Sequence, residues 1–426
     1  MKPTRARYKV LAWCVALAGI TYLDRICIAI LAPHITADLS LTPSQMSWVF
    51  SAFTIAYGIF EMPTGYWGDR IGTRRVLTRI VAWWSTFTIA TAAAFNYPSL
   101  LAIRFLFGVG EAGAWPNSGK TISLWFPRHE RGRAQGIFFS GAHIAGALTP
   151  LAIGALLTVM HWRTVFVVFG MTGFLWAIGW YRWYRDDPAL HPSVNEAERD
   201  YILASRSASR KGPFRWGEFL RMFRHGHLLL LCFMYFTQSY GFYFFITWCP
   251  TYLEQARGFS KLSLGLASGL PLLLCAIADI LGGESCDWAV RRFGARRGRG
   301  LVGVVSMLGA AAAMLAGTHA SSPAAAIWLL ATAAGMGSFV LGAAWSTVLD
   351  MGGAKAGLAG AVMNTGGQVG GALSPVVLGY MLERTGNWDV PLYGTGVLYI
   401  LGGLCWLVID ASRARLDGPD TDASQP

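Results

Sequence analysis

The chain has 426 residues, of which 54% are hydrophobic and 14% charged, with a formal net charge of +12 and a mean hydropathy of +0.42. Soluble domains carry about 25% charged residues, so the composition excludes an ordinary cytosolic protein and points to one that lives in a lipid bilayer. The positive charge alone invites nucleic acid as a partner, but its distribution along the chain excludes that reading.

About twelve apolar segments of ~18–25 residues follow one another, each long enough for a ~30 Å hydrocarbon core. They cover 9–32, 46–67, 76–95, 98–120, 135–158, 164–183, 228–252, 262–282, 299–318, 324–347, 356–381 and 391–410. Lys2, Arg5, Arg7 and Lys9 precede the first segment and imitate a signal n-region. That segment runs to about Leu31, is interrupted by Asp24-Arg25 and lacks a convincing A-x-A cleavage site, so it reads as a retained helix. With these spans, Lys and Arg gather on one side of the membrane. Arg163, Arg257, Lys261 and Arg384 fall on the other side, and Arg25, Arg104 and Lys120 lie within segments. This is the positive-inside pattern, which places both termini in the cytoplasm. The seven cysteines have no metal-ligand spacing and imply no disulfide.

Asp24 and Arg25 in the first segment and Arg104 and Glu111 in the fourth are charges at membrane depth. Each costs ~2.5–3.5 kcal/mol on insertion scales, so such groups face a bundle interior and mark an ion or substrate path. Arg104 and Glu111 are seven apart and share a helix face. If the first and fourth helices line one cavity, the four charges form a cluster that cancels. Arg25 is the candidate for a substrate carboxylate, because a guanidinium fork matches it bidentately; the alternative is a structural pair with Asp24 or Glu111. Arg104 either binds substrate or holds an acid in place. Glu111 and Asp24 are the candidate proton carriers, since burial and a neighbouring Arg act in opposite senses on a carboxyl.

The second segment carries Tyr57 and Glu61. It is followed by Gly65-Tyr66-Trp67-Gly68-Asp69-Arg70-Ile71-Gly72-Thr73-Arg74-Arg75. Lys120 is expected to snorkel to the interface, and His143 in the fifth segment is expected to pack. The longest polar stretch, 185–227, separates six segments from six. The seventh segment has no charge from Leu228 to Leu253 and offers Tyr243 and Trp248. After the eighth comes an echo of the earlier motif, Gly283-Glu284-Ser285-Cys286-Asp287, then Arg291-Arg292-Phe293-Gly294-Ala295-Arg296-Arg297. Trp345 lies in the tenth segment, and Asn364 and Gln368 share a face of the eleventh. Basic groups at depth come from the first half only, which favours a carboxylate over a dianionic phosphate. Repeated six-helix halves are characteristic of secondary transporters.

The run G-x-x-x-D-R-x-G-x-R-R resembles the signature loop of the major facilitator superfamily, and its weaker second copy is also a trait of that family. A finer resemblance is to the anion:cation symporter family, bacterial carriers of sugar acids and related carboxylates. It rests on Tyr22-Leu23-Asp24-Arg25, Tyr57 with Pro63, Arg104-Phe105-Leu106-Phe107-Gly108 with Glu111-Ala112, Trp125-Phe126-Pro127 with Glu130-Arg131, Trp248-Cys249-Pro250-Thr251-Tyr252-Leu253, and Asn364, Gly367 and Ser374-Pro375. The resemblance implies an all-α membrane protein with twelve transmembrane helices in two halves, the major facilitator fold. The halves are 1–184 and 228–411, with a cytoplasmic linker at 185–227 and a disordered cytoplasmic tail at 412–426. It implies import of an organic carboxylate, a hexonate, hexuronate or aldarate, with protons by alternating access in the bacterial inner membrane. Neither enzyme activity nor a cofactor or metal is expected; the partners are the small anion, protons and lipid, and the carrier is expected to be a monomer.

The implied substrate contacts are Arg25, Tyr57, Arg104, Asn364, Gln368, Tyr243, Trp248 and Trp345. The implied proton groups are Asp24 and Glu111, with Glu61 a departure where many relatives carry Gln. The implied conformational loop is Gly65, Asp69, Arg70, Gly72 and Arg74, with Asp287 in the second copy. A second departure is Ser140-Gly141-Ala142-His143, where close sugar-acid carriers have a Gln soon after Ser-Gly. The alternatives are an exchanger of organic phosphates or other anions, and a nutrient sensor without transport.

Overall fold

The computed structural model describes residues 3–127, 130–203, 222, 224–352 and 356–410. Among the described residues the regular structure is helical throughout. Contacts divide the chain into two compact units, Met1–Lys211 with Phe259–Gly269, and Gly212–Gly258 with Leu270–Pro426. The division falls inside the expected linker, and the first turns of the eighth segment cluster with the first unit.

In the first unit α1 is Ala6–Leu39, α2 Pro43–Ile71, α3 Thr73–Thr91, α4 Tyr97–Glu111, α5 Ala114–Trp125, α6 Arg131–Leu157, α7 Trp162–Trp183 and α8 Glu196–Leu203. In the second, α9 is Gly226–Thr247, α10 Cys249–Gln255, α11 Lys261–Phe293, α12 Ala295–His319, α13 Pro323–Phe339, α14 Leu341–Gly352, α15 Ala356–Thr385 and α16 Asp389–Val408. Helix starts follow local rules. Thr42 and Asn96 each close a capping box, with Gln45 and Ser99, and a proline stands in the first turn behind both.

The internal echo extends to packing. In the first unit α1 packs on α6 and α7, and α3 on α4 and α7. In the second α9 packs on α15 and α16, and α12 on α13 and α16. These are the same pairings six segments apart. Eight stretches are long and apolar enough to cross a membrane among the described residues. The third and fourth expected segments fall outside that set for local reasons. α3 opens with Arg74, Arg75 and Arg79, and the fourth segment is not one helix.

That segment breaks between Glu111 and Ala114. Pro116 has no N–H, and its ring would strike the carbonyl of residue 112 in a continuous helix. The chain answers with an extended Ala112 (ψ 131°) and a left-handed Gly113 (φ +87°), a region that Gly enters without penalty. A Cβ on Gly113 would lie 2.6 Å from Thr64 Cβ. The seventh segment breaks at Trp248 ahead of Pro250 for the same reason, and the tenth turns at Val340 without a proline. The segments predicted as continuous at 98–120, 228–252 and 324–347 are therefore each two helices.

The expected loop between the second and third segments also contracts. α2 runs through Arg70 to Ile71, and Gly72 alone (φ +85°) makes the turn into α3. In the second unit α11 runs to Phe293 and Gly294 alone (φ +79°) turns into α12. Each signature is a helix end and a single glycine.

Candidate functional site

The site in the first unit is assembled from α1, α2, α3 and α4. The Asn96 cap fixes where α4 begins, and at ~1.5 Å per residue this puts Arg104 and then Glu111 progressively deeper. Glu111 is the last residue of α4, fully buried, at the break. Arg25 of α1 donates from Nε to Glu111 Oε1 at 2.5 Å. A cation at the C-terminal end of α4 also meets the negative end of the helix dipole. The second Glu111 oxygen accepts no hydrogen bond among the described residues. The Arg25 guanidinium lies over the rings of Phe53 and Tyr57, at 5.0 and 4.9 Å from their centroids. Those two residues are four apart on α2 and share a face.

Arg104 and Asp24 are buried, 2% and 1% exposed. Arg104 stands over Phe107 at 4.3 Å, and its Nε makes no hydrogen bond among the described residues. Asp24 lies within electrostatic reach of both Arg104 and Glu111. The structure thus brings Asp24, Arg25, Tyr57, Arg104 and Glu111 together. Glu61 sits one turn beyond Tyr57 on α2, half-buried. A two-base, two-acid cluster of this kind can hold an anion on a guanidinium while a neighbouring carboxyl gains or loses a proton.

In the second unit, Tyr243 of α9 packs against α15, where a Cβ on Gly371 would come within 2.5 Å of its ring. Asn364 and Gln368 lie half-buried on α15, and Gln368 Oε1 accepts no hydrogen bond among the described residues. Trp248 is committed elsewhere: its Nε1 donates to the Pro375 carbonyl at 3.2 Å, and its ring meets Trp388 edge-on. Trp345 is 38% exposed and edge-on to Tyr235.

Two of the expected loop residues are tied to the end of α7. Asp186 accepts from the Arg74 N–H at 3.0 Å and from the Thr73 hydroxyl at 2.8 Å, capping α3. A Cβ on Gly72 would lie 2.4 Å from Asp186 Oδ2. Arg74 donates through Nε to the Tyr181 carbonyl at 2.8 Å and covers the Tyr181 ring. Arg70 is exposed at the end of α2, and Asp287 lies on α11. Gly65 and Asp69 fall within α2 but outside the residues whose side chains are described, and the tail 412–426 lies outside the described residues.

Sequence reasoning passed over several partners. Asp186 was legible only as a linker residue. Lys120, expected to snorkel, instead donates to the Gly68 carbonyl at 2.5 Å, and Asn117 donates to the carbonyls of Thr64 and Gly113. Both tie α5 to α2. His143 is buried edge-on to Tyr22, which meets Trp115, itself stacked on Phe139. On the linker, Glu198 is fully buried and accepts from Ala6 N, Arg7 N, Arg7 Nη1 and Thr4 Oγ1, capping α1. Arg7 also pairs with Glu130, which accepts from Tyr201. His191 lies buried between Trp125 and Trp183, and its Nδ1 accepts from Ser193 N at 3.1 Å. Burial holds that imidazole below its ordinary pKa.

The comparisons agree with this architecture. The profile of the Major Facilitator Superfamily matches residues 14–375. A probable sulfoacetate transporter of Cupriavidus necator is 33% identical, covering 99% of this chain and 97% of that one. A probable galactarate/D-glucarate transporter of Escherichia coli is 30% identical over 98% of this chain and 96% of its own. The hexuronate transporter of Bacillus subtilis is also 30% identical, with 96% of each chain covered. Among solved structures, a bacterial homologue of the human lysosomal transporter Spinster, in an inward-facing unoccupied conformation, superposes with a TM-score of 0.77. It covers 99% of this chain and all of that one at 19% identity, a likeness of fold. With buried ionisable groups at a helix break, membrane-length apolar helices and these relatives, the chain belongs to the Major Facilitator Superfamily and is a multi-pass membrane transporter of organic anions, not an enzyme.

Proposed function

We propose that the chain imports a sugar acid together with protons, in a bacterial inner membrane, with both termini cytoplasmic and the carrier acting as a monomer without a cofactor. The observation that carries this reading is the buried pair between Arg25 and Glu111 at the break between α4 and α5. A guanidinium engaged by Glu111 is not fully available to a substrate carboxylate. Protonation of Glu111 weakens that pair and frees the fork, so proton loading and anion binding favour one another. Release of the proton on the low-proton side restores the pair and expels the anion. Asp24 beside Arg104 is a second proton group, Arg104 its counter-ion, and Glu61 a third candidate. Tyr57, Asn364, Gln368 and Tyr243 are the groups that read substrate hydroxyls. Gly72, Arg74 and Asp186 hold a turn that moves as a unit when the carrier changes face.

A second substrate reading, a short sulfonated acid, is favoured by the aromatic group Tyr22, Trp115, Phe138, Phe139 and His143, which stands where sugar-acid carriers are expected to have a Gln. The relative named for sulfoacetate points the same way.

Purified carrier in proteoliposomes tests both. With an inward proton gradient, glucarate, galactonate, glucuronate and sulfoacetate are offered separately. Uphill accumulation of a sugar acid that collapses with a protonophore supports symport, and preference for sulfoacetate selects the second reading. Exchange that ignores the proton gradient would overturn proton coupling and leave an anion exchanger.

A further inference from the structure

Among the described residues, neither oxygen of Asp24 accepts a hydrogen bond of normal geometry, although the residue is 1% exposed. Three elements face it. α1 contributes Cys27, α4 contributes Arg104 and Glu111, and α3 contributes the Thr88 hydroxyl and the Trp84 indole. Trp84 is fully buried, and its Nε1–H is also unsatisfied. Thr88 is four residues further along α3, on the same face, and donates to the Trp84 carbonyl of its own helix at 3.1 Å, beyond the usual O–H···O range. A buried carboxyl without hydrogen bonds therefore lies beside a buried N–H without an acceptor and a hydroxyl parked on a weak local bond. Each unsatisfied group carries its desolvation cost until a partner turns to it.

We propose that Trp84 and Thr88 are positioning residues that receive the ionised form of Asp24, so that α3 sets the pH at which this acid loads and releases its proton. The inference rests on the reading of Asp24 as a proton-coupling group. The two donors differ in chemistry. An indole N–H only donates, so Trp84 serves the carboxylate and offers nothing to the protonated acid. A hydroxyl both donates and accepts. Thr88 can rotate from the Trp84 carbonyl to donate to the carboxylate, then return to that carbonyl and accept from the acid. A donor that serves one protonation state shifts the equilibrium toward it, whereas one that serves both shifts it less.

The experiment is infrared difference spectroscopy of the full-length carrier in lipid, following the protonated carboxyl C=O band that disappears in Asp24→Asn. Trp84→Phe is expected to raise the titration midpoint of that band by about one to two pH units, the equivalent of one charge-assisted hydrogen bond. Thr88→Val is expected to raise it by less, and Thr88→Ser to restore the wild-type midpoint. If Trp84→Phe does not fold, the Thr88 pair carries the test alone. An Asp24 band whose midpoint is unmoved in the folded variants overturns the role of α3. Uphill uptake retained by Asp24→Asn overturns the proton-coupling reading beneath it, a different failure seen in a different measurement.

Discussion

Arg25 is held at three points: by Glu111 through Nε, and by the faces of Phe53 and Tyr57. Lysine keeps the charge but has neither the fork nor the flat face for those rings. Arg25→Lys is expected to lower affinity for every transported acid at least tenfold while leaving expression near wild type; equal affinities in a binding assay would remove Arg25 from the substrate role. Glu111→Gln imitates the protonated acid and loosens its hold on Arg25. The variant should still exchange substrate in counterflow but lose uphill accumulation under a proton gradient. If it still concentrates substrate, coupling runs through Asp24 or Glu61. At this scale the sequence identified the residue types and their place along the apolar runs, because a charge in an apolar run is visible in one dimension. Which acid Arg25 engages depends on how α1 and α4 are rotated about their axes.

The break between α4 and α5 is an element-scale event with a local cause and a tertiary partner. Gly113→Ala places a side chain at φ +87° and against Thr64 Cβ. Strain in the left-handed region costs about 1–3 kcal/mol per residue, so the variant should melt several degrees lower in detergent and reposition Glu111. A melting curve that matches wild type would show that the break tolerates another geometry. The cap on α3 is of the same kind. Asp186→Ala removes the acceptor of Arg74 N and the Thr73 hydroxyl, and loss of such a cap costs about 0.5–2 kcal/mol. Hydrogen exchange at the start of α3 should accelerate while exchange in α12 stays unchanged. The signal for the α4 break, Gly113 followed by Pro116, was present in the sequence but masked by the apolar run around it. Asp186 carried no such signal, because its partner lies more than 100 residues away.

Across the whole molecule, two of the basic residues on the sparsely charged side have structural work. Arg163 donates to the carbonyls of Ala92 and Ala94 after α3 and pairs with Asp38. Arg257 donates to the carbonyls of Gly317, Thr318 and Ala320 at the end of α12. A guanidinium at a helix C-terminus satisfies orphan carbonyls and complements the dipole, so the same device closes the third segment of each repeat. On the opposite side, the early linker is docked on the first unit by Glu198 and His191. The His191 imidazole is neutral in the fold, because burial disfavours its charged form and its Nδ1 accepts from Ser193 N. Its folded-state pKa lies below the unfolded one, so its contribution is complete above about pH 6.5 and declines as pH falls through that value toward the folded pKa. Melting temperature is expected to drop between pH 7 and pH 5, and His191→Gln should flatten that dependence. A variant that keeps the full slope would assign it to another group.

Hydrophobic run length, the charges inside the runs, the doubled Gly-Asp-Gly signature and the sidedness of Lys and Arg were set by the sequence alone, since each is a property of residues close together along the chain. They established a helical membrane transporter with a repeated half and a set of charges inside the apolar segments of the first repeat. Tertiary structure alone decided that Arg25 meets Glu111, that Asp24 faces Trp84 and Thr88, that Trp248 spends its donor on Pro375, and that Glu198 caps a helix almost two hundred residues before it. Sequence spacing fixes depth along a helix at ~1.5 Å per residue, but a neighbour across the bundle is chosen by helix rotation and close packing, which involve every residue on the contacting faces at once.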